Sequence, residues 1–476
     1  MKKIGYFLGP LLFLFMLLLP PQGGLTPEAW RVLALSALVL IWWITEAMPI
    51  ALTALLPMVC LPLLGVSDMK TAATPYASPI VYLFMGGFML ALALEKWSLH
   101  RRIALNIVRM TGTNANGIIL GFLLATAFLS MWISNTATAI MMLPIALSVI
   151  DLLSRSGADY EPGRIRAFAA SMMLVVAYGA NIGGTATIIG TPPNVVFAGF
   201  IRENYNIEVS FLQWMAIGLP FALLLLAATY FLLVYVLLPN RLGRFAGASE
   251  LIAREVEALG APSRAERLTF LIFILTAGAW IFRDMLNQWL PFRLGDEEIA
   301  ILATVALFIT PVDWKSQRFL LEWRDTDKLP WGILLLFGGG LSLAAALKDV
   351  GLIDLIGNQF KDAGIARFWL VLGLAAVSLY LTEVMSNVAL VTVFLPVVGG
   401  IATGMGIPPL LLCIPVTLAA SCAFMLPMGT PPNAIVFASG HLRMTDMVKT
   451  GFWLNLVTVA VTALLTEWLI PWILGG

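Results

Sequence analysis

The chain has 476 residues, of which 60% are hydrophobic and 12% charged, with a mean hydropathy of +0.92. Soluble domains are about 45–50% apolar and about 25% charged, so this composition excludes a soluble globular protein and specifies a polytopic membrane protein. The net charge of +1 gives no nucleic-acid signal, the three cysteines (Cys60, Cys413, Cys422) match no metal spacing or disulfide framework, and two histidines (His100, His441) argue against a His-based metal site or proton relay.

A span needs about 20 apolar residues to cross a ~30 Å hydrocarbon core. The first run, Ile4 to Leu19, follows Lys2 and Lys3. No small-x-small cleavage site follows it and Pro20-Pro21-Gln22-Gly23-Gly24 reads as a loop, so a retained first span is expected rather than a signal peptide. Further spans are expected at 27–46, 49–66 and 78–95, then a broken pair, 116–133 and 137–150, joined by Ser134-Asn135-Thr136. A span over 167–189 breaks at 190–193 and resumes to about 201; spans at 212–238, 268–288, 297–312 and 330–348 follow. A second broken pair, 366–384 and 389–403, turns around Ser386-Asn387. The chain closes with 408–428, a break at 429–432, a continuation to 439, and a span over 451–474.

If each broken pair enters and leaves on one side as a re-entrant hairpin, about eleven transmembrane helices remain. With the N-terminus cytoplasmic, the inside segments then hold Lys2, Lys3, Arg101, Arg102, Arg109, Arg155, Arg164, Arg166, five arginines between Arg241 and Arg267, Lys315, Arg318, Arg324, Lys328, Arg443 and Lys449. Outside segments hold few, notably Arg31, Arg202, Arg283, Arg293, Lys348, Lys361 and Arg367. That bias supports the count, with the C-terminus outside, and the compact length fits a bacterial inner (plasma) membrane.

The chain repeats itself. Residues 84–96 (FMGGFMLALALEK) match 337–349 (FGGGLSLAAALKD) at 7 of 13 positions. The Ser-Asn pairs recur at an offset of 252 and the Thr-Pro-Pro-Asn segments at 239. The expected organisation is a first helix and loop (1–26), repeat 1 (27–238, hairpin 116–150, broken helix 167–201), a cytoplasmic loop (239–267) with a short helix near Ser249–Leu259, and repeat 2 (268–476, hairpin 366–403, broken helix 408–439). Five crossings per repeat is odd, so the second repeat would be inserted upside down. The predicted fold class is therefore an all-α membrane protein with an inverted-topology repeat, as in many secondary transporters.

A helix broken inside the bilayer frees N–H and C=O groups that cost several kcal/mol each unless they line a cavity or bind something. Four such breaks in two matched pairs point to a midplane binding site. Thr191 before Pro192 and Thr430 before Pro431 follow an N-cap then N1-proline pattern, and Ser and Asn at the tips are good N-caps. Four half-helix N-termini would favour an anion, while carbonyls with Ser and Asn side chains suit a hard cation such as Na⁺. Glu46 and Glu383 are intramembrane or near-interface carboxylates with an expected structural role, Glu383 steadying the second hairpin. Gly86-Gly87 and Gly338-Gly339-Gly340 are expected to allow close helix packing, because no P-loop lysine follows.

Ser421-Cys422-Ala423-Phe424-Met425-Leu426-Pro427-Met428-Gly429, continuing to Asn433 and Val436, resembles the signature of the divalent anion–sodium symporters, which carry dicarboxylates, citrate or sulfate. The first tip, Ser130-Met131-Trp132-Ile133-Ser134-Asn135-Thr136, is similar to that family's as well, and the likeness runs nearly end to end. The resemblance implies a homodimer with a scaffold part and a transport part that moves as an elevator. It implies one Na⁺ site at Ser130, Ser134, Asn135 and Gly190, and a second at Thr382, Met385 (backbone), Asn387 and Gly429. It implies substrate contacts from Ser134, Asn135, Thr136, Thr191 and Pro192, and from Ser386, Asn387, Val388, Thr430 and Pro431. Val388 stands where many members have Thr, which bears on substrate identity. The expected function is Na⁺-coupled uptake of a C4 dicarboxylate such as succinate, malate or fumarate, with membrane lipid as surroundings and no organic cofactor. Rival readings are a Na⁺-independent dicarboxylate or tricarboxylate exchanger, citrate or sulfate as substrate, and an anion channel. An intramembrane enzyme is disfavoured, since the spans carry no Asp dyad, His-Glu-x-x-His helix or Gly-x-Ser-x-Gly elbow.

Overall fold

A computed structural model describes residues 2–112, 114–155, 161–243, 248–361 and 364–473. The expected repeat boundary at 476 and residues 244–247 of the central loop lie outside them.

Helices α1 (Lys2–Leu18) and α2 (Pro27–Thr45) pack as a pair; Thr26 caps the second by accepting the Ala29 N–H, with Pro27 in the first helical position. The run expected as one span over 49–66 is two short helices, α3 (Ile50–Thr53) and α4 (Leu56–Leu63). Pro57 has no N–H to offer the preceding turn, so one continuous ladder cannot form there. After α5 (Met69–Ala73) and a 3₁₀ turn, α6 (Pro79–Lys96) and the amphipathic α7 (Leu99–Met110) lead to the first hairpin, α8 (Ala115–Ser130) and α9 (Asn135–Arg155). The first broken helix is α10 (Pro162–Thr185) with α11 (Pro192–Tyr205). Helix α12 (Phe211–Phe231) ends in a π turn over Leu232–Leu237, and α13 (Ala248–Ala258) lies in the central loop where a short helix was expected.

The second half opens with α14 (Arg264–Ile281), which meets α15 (Arg283–Trp289) at an 82° bend, then α16 (Asp296–Ile309). A small antiparallel pair, β1 (Pro311–Asp313) and β2 (Arg318–Phe319), precedes α17 (Trp331–Asp349) and α18 (Leu352–Phe360). The second hairpin is α19 (Arg367–Thr382) and α20 (Asn387–Gly404), and the second broken helix is α21 (Pro409–Ala420) with α22 (Pro431–Phe437). Helices α23 (Met444–Trp468) and α24 (Ile470–Ile473) end the described chain. Among the described residues, eight helices are long and apolar enough to cross a membrane, and the arms Ala115–Ser130 and Arg367–Thr382 are shorter apolar helices. The chain is an all-α membrane protein. A 16-residue arm is about 24 Å long, short of a ~30 Å core.

Both breaks fall earlier than the sequence suggested. The first occupies 186–191 rather than 190–193, and the second occupies 421–430 rather than 429–432. The cause is side-chain competition for the backbone: the Asn194 amide donates to Gly184 O and Thr187 O at 3.2 and 2.8 Å, drawing the chain out of the helix before the prolines are reached.

Two cores support the fold. Residues of α2, α4 and α17, with Ala54 and Ala72, form one; the hairpins and broken helices sit in a larger one with α6 and α16. The glycine pairs serve close packing as expected. A Cβ on Gly86 would stand 2.6 Å from Ala300 Cβ, so α6 approaches α16 backbone to backbone. Gly86→Val should therefore overpack this contact and cost about 1–3 kcal/mol. Gly373→Ala, with nothing within 4 Å, should be neutral or stabilise by about 0.5–1 kcal/mol. Thermal midpoints in detergent check both.

Candidate functional site

All four helix starts that follow a break line one cavity of about 970 Å³: Ser134 and Asn135 at the start of α9, Thr191 and Pro192 at that of α11, Ser386 and Asn387 at that of α20, Thr430 and Pro431 at that of α22. Thr136, Gly190, Met385, Val388 and Gly429 line it too. Facing them are Phe84, Phe88 and Leu92 of α6, Ile44 and Ile50 near α2 and α3, and Ile333 of α17. The cavity reaches solvent past Lys2 and Glu46, which pair at 3.5 Å with side chains 71% and 57% exposed. Glu46 thus belongs to the rim, not to a buried site.

Ser130 and Thr382 do not reach the cavity; both are fully buried behind the tips. Each fixes the amide in front of it. Ser130 Oγ donates to Asn135 Oδ1 at 2.8 Å, and Thr382 Oγ1 stands 2.7 Å from Asn387 Oδ1. Thr382 Oγ1 is also 2.7 Å from Ala420 O, so one hydroxyl proton serves two acceptors. Oxygens gathered with too few protons are what a hard cation completes. The assigned amide orientation turns both Nδ2 groups away from these hydroxyls, and neither has a partner among the described residues. Each Asn therefore offers an oxygen to a cation and a donor to an anion.

The caps differ from expectation in one respect. Thr430 accepts Asn433 N–H, whereas the Thr191 and Ser386 side chains make no cap. Thr136, Thr191 and Ser386 hydroxyls have no hydrogen-bond partner among the described residues. Helix starts at α9, α11 and α20 have 21, 14 and 18 residues behind them, while α22 has 7 and a correspondingly smaller dipole.

Several buried polar groups hold the breaks. Glu383, 3% exposed, accepts N–H groups from Phe424, Met425 and Leu426 at 2.8, 2.9 and 3.0 Å, and Asn455 Nδ2 at 3.0 Å. The expected structural role is in steadying the hairpin; the contacts instead tie the end of α19 to the second break and to α23. At the corresponding position of the first tip, 252 residues earlier, stands Met131, whose carbonyl takes the Thr187 hydroxyl at 2.5 Å. Asn433 Nδ2 donates to Ala423 O and Leu426 O, both at 3.0 Å, as Asn194 does in the first break. Asn181 and Tyr178 of α10 cross to the second break, reaching Thr430 Oγ1 at 3.0 Å and Phe424 O at 2.8 Å. Asn181, Asn455, Thr187 and Tyr178 were not singled out from sequence. Lone intramembrane amides were the available signal. Gly184 was missed too: a Cβ there would lie 2.5 Å from Asn135 Oδ1. Among the described residues no cluster of three or more His, Cys, Asp or Glu could hold a metal.

The sequence profile described as "Sodium:sulfate symporter transmembrane region" matches residues 2–475, and the chain belongs to that family. It is 38% identical to a sodium-dependent dicarboxylate transporter of Staphylococcus saprophyticus over 479 aligned positions, covering 100% of this chain and 92% of the relative. A Staphylococcus aureus (strain bovine RF122) protein of the same name is 39% identical with the same coverage. Among solved structures, the YdaH transporter of Alcanivorax borkumensis superposes with TM-score 0.62 at 14% identity, over 95% of this chain and 100% of that one. MtrF of Neisseria gonorrhoeae gives 0.55 at 13% identity, over 83% of each chain. At those identities the two structures speak for the fold alone. The chain is a multi-pass membrane transporter and not an enzyme.

Glu383→Gln should leave buried N–H groups facing an amide with a single acceptor oxygen, at about 1–3 kcal/mol for each group left unpaired. The expected result is a lower thermal midpoint in detergent than for Glu46→Gln, whose exposed pair contributes little.

Proposed function

We propose that this chain couples the inward movement of Na⁺ to uptake of a C4 dicarboxylate such as succinate, malate or fumarate. The observation that carries the reading is the pair of tips whose Asn oxygens are fixed from behind while their amide nitrogens are left for a ligand. The relatives named as sodium-dependent dicarboxylate transporters supply the ion and the substrate class.

In this reading Ser130, Ser134, Asn135 and Gly190 hold one Na⁺, and Thr382, the Met385 carbonyl, Asn387 and Gly429 hold the other. The carboxylates meet Ser134, Asn135, Thr136, Thr191 and Pro192 at one end and Ser386, Asn387, Val388, Thr430 and Pro431 at the other. No Lys or Arg stands at the tips, so the bound cations neutralise the anion in a medium of low dielectric. Each net positive charge carried inward gains about 2.3 kcal/mol per 100 mV. The chain crosses the membrane eleven times with two re-entrant hairpins in inverted repeats, N-terminus cytoplasmic and C-terminus outside. It works as a homodimer in an inner membrane, and the hairpin-bearing part moves as an elevator against the rest. No organic cofactor takes part.

The test is radiolabelled succinate uptake into proteoliposomes under an inward Na⁺ gradient, against an equal K⁺ gradient. Uptake with Na⁺ only is expected; uptake without Na⁺ that requires internal dicarboxylate would make the protein an exchanger. Asn135→Ala and Asn387→Ala should each abolish Na⁺-driven uptake, and normal Na⁺ affinity in both would sink the site assignment. Val388→Thr restores a hydroxyl beside the substrate, and one hydrogen bond of about 0.5–1.5 kcal/mol should lower KM for succinate roughly two- to tenfold.

A further inference from the structure

The cavity and its closure lie at opposite ends of the same helices. Helix α6 places Glu95 in the cavity wall near its last turn and Ser78 just before its first turn, about 26 Å away along the axis. Helix α17 runs the other way, with Pro330 and Ile333 at the cavity and Lys348 at the far end. At that far end, one stretch of ten residues, 202–211, touches four separate elements. Arg202 pairs with Glu297 of α16 at 2.9 Å. Glu203 accepts the Ser78 hydroxyl at 2.8 Å. The Asn204 carbonyl takes Lys348 Nζ. Glu208 pairs with Arg283 at 3.0 Å, and Phe211 N–H donates to Asp296 at 2.7 Å, with Arg283 3.3 Å from the same carboxyl group.

The stretch is the end of α11 and the link to α12, so it is continuous with the first break. The partners of its charged groups and of the Asn204 carbonyl belong to α15–α16, to Ser78 at the start of α6 and to α17, while the Tyr205 hydroxyl reaches Thr403 of α20 at 3.5 Å; of these elements, α6 and α17 line the cavity opposite the tips. Two helix ends also meet with complementary charge: Arg202 sits in the last turn of α11 and Glu297 in the first turn of α16, each on the side its helix dipole favours. Glu297 and Asp296 are only 17% and 5% exposed at the side chain, so water screens these pairs weakly.

We propose that residues 202–211 are a latch that holds the transporter with its cavity open at the Lys2–Glu46 end, and that this latch must part for the cavity to open at the other. The inference rests on the proposed movement of the hairpin-bearing part against the remainder. It adds which contacts oppose that movement and makes Arg202, Arg283 and Glu297 determinants of the resting state, at a distance from the binding groups.

Ile80 reports on the latch without belonging to it. It is 6% exposed in the first turn of α6, and its Cγ2 lies 3.1 Å from where a Cβ of Gly199 would stand. With Cys60, Cys413 and Cys422 replaced by alanine, Ile80→Cys should react with a maleimide only when α11 leaves α6. Arg202→Gln combined with Arg283→Gln should raise its labelling rate at least fivefold in reconstituted protein without substrate. Arg202→Lys combined with Arg283→Lys keeps each charge on its own helix end and should return the rate to that of the parent, which a loosened or unfolded protein would not do. Labelling unchanged in the glutamine double variant, or a lysine double variant that labels as fast as the glutamine one, would overturn the latch. The readout needs no substrate, so it stands apart from the uptake assay: a failed latch with intact Na⁺-driven uptake leaves the transport reading standing, and a working latch without uptake does the reverse.

Discussion

The structure depends on satisfying the backbone where two helices stop inside the bilayer. Water cannot serve there, and each orphaned N–H or C=O costs several kcal/mol. One asparagine beyond each proline pair does the same work in both halves. Asn194 takes Gly184 O and Thr187 O, and Asn433 takes Ala423 O and Leu426 O. The side chain replaces donors that the broken helix can no longer supply. Both asparagines are wholly buried, so the substitution is protected from solvent competition. The helix starts that face the cavity are then free to act on a ligand, because the breaks do not need the ligand in order to stand.

The halves differ in how the tip is tied to the break. In the first, a single neutral bond joins Thr187 to the Met131 carbonyl. In the second, a buried carboxylate, Glu383, gathers three successive backbone N–H groups and the Asn455 amide. The longer second break explains the need. Ten residues outside a helix leave more donors than one asparagine can match. The carboxyl group also lies close to the end of the second break: Oε2 is 3.0 Å from where a Cβ on Gly429 would be. The two tips are thus tied to their breaks through different residues, Met131 in one and Glu383 in the other.

The sequence made the tips and the proline-led helix starts legible because each is a local pattern: Ser-Asn in an apolar run, Thr-Pro-Pro-Asn leading a helix. It also located α13 and most helix limits to within a few residues. The break positions were placed at the Gly-Thr-Pro-Pro segments, whose prolines mark only where the next helix starts. The chain leaves the helix up to ten residues earlier, under the pull of Asn194, Asn433 and Glu383, and those contacts are tertiary. Asn181, Tyr178 and Asn455 were illegible for the same reason. An isolated amide or phenol in an apolar helix looks like interhelical glue until the break it reaches is seen. Ser130 and Thr382 were attached to the site through family likeness alone, and the structure places them buried behind the tips, hydrogen-bonded to Asn135 and Asn387.

The wall opposite the tips shows why binding and access can be governed separately. Helices α6 and α17 carry apolar cavity groups at one end and polar latch partners at the other, and α6 is tied to α16 by the approach at Gly86. Stiff elements of this length move their two ends together. A displacement of the hairpin-bearing part that parts Arg202 from Glu297 must therefore also change the gap between the tips and Phe84, Phe88 and Ile333. In the proposed movement, closing the cavity at one end and opening it at the other would be one motion. Phe84, Phe88, Leu92 and Ile333 would favour the proposed movement, because they present no hydrogen bonds to exchange, whereas the proposed latch concentrates polar contacts in a single stretch that would break as a unit.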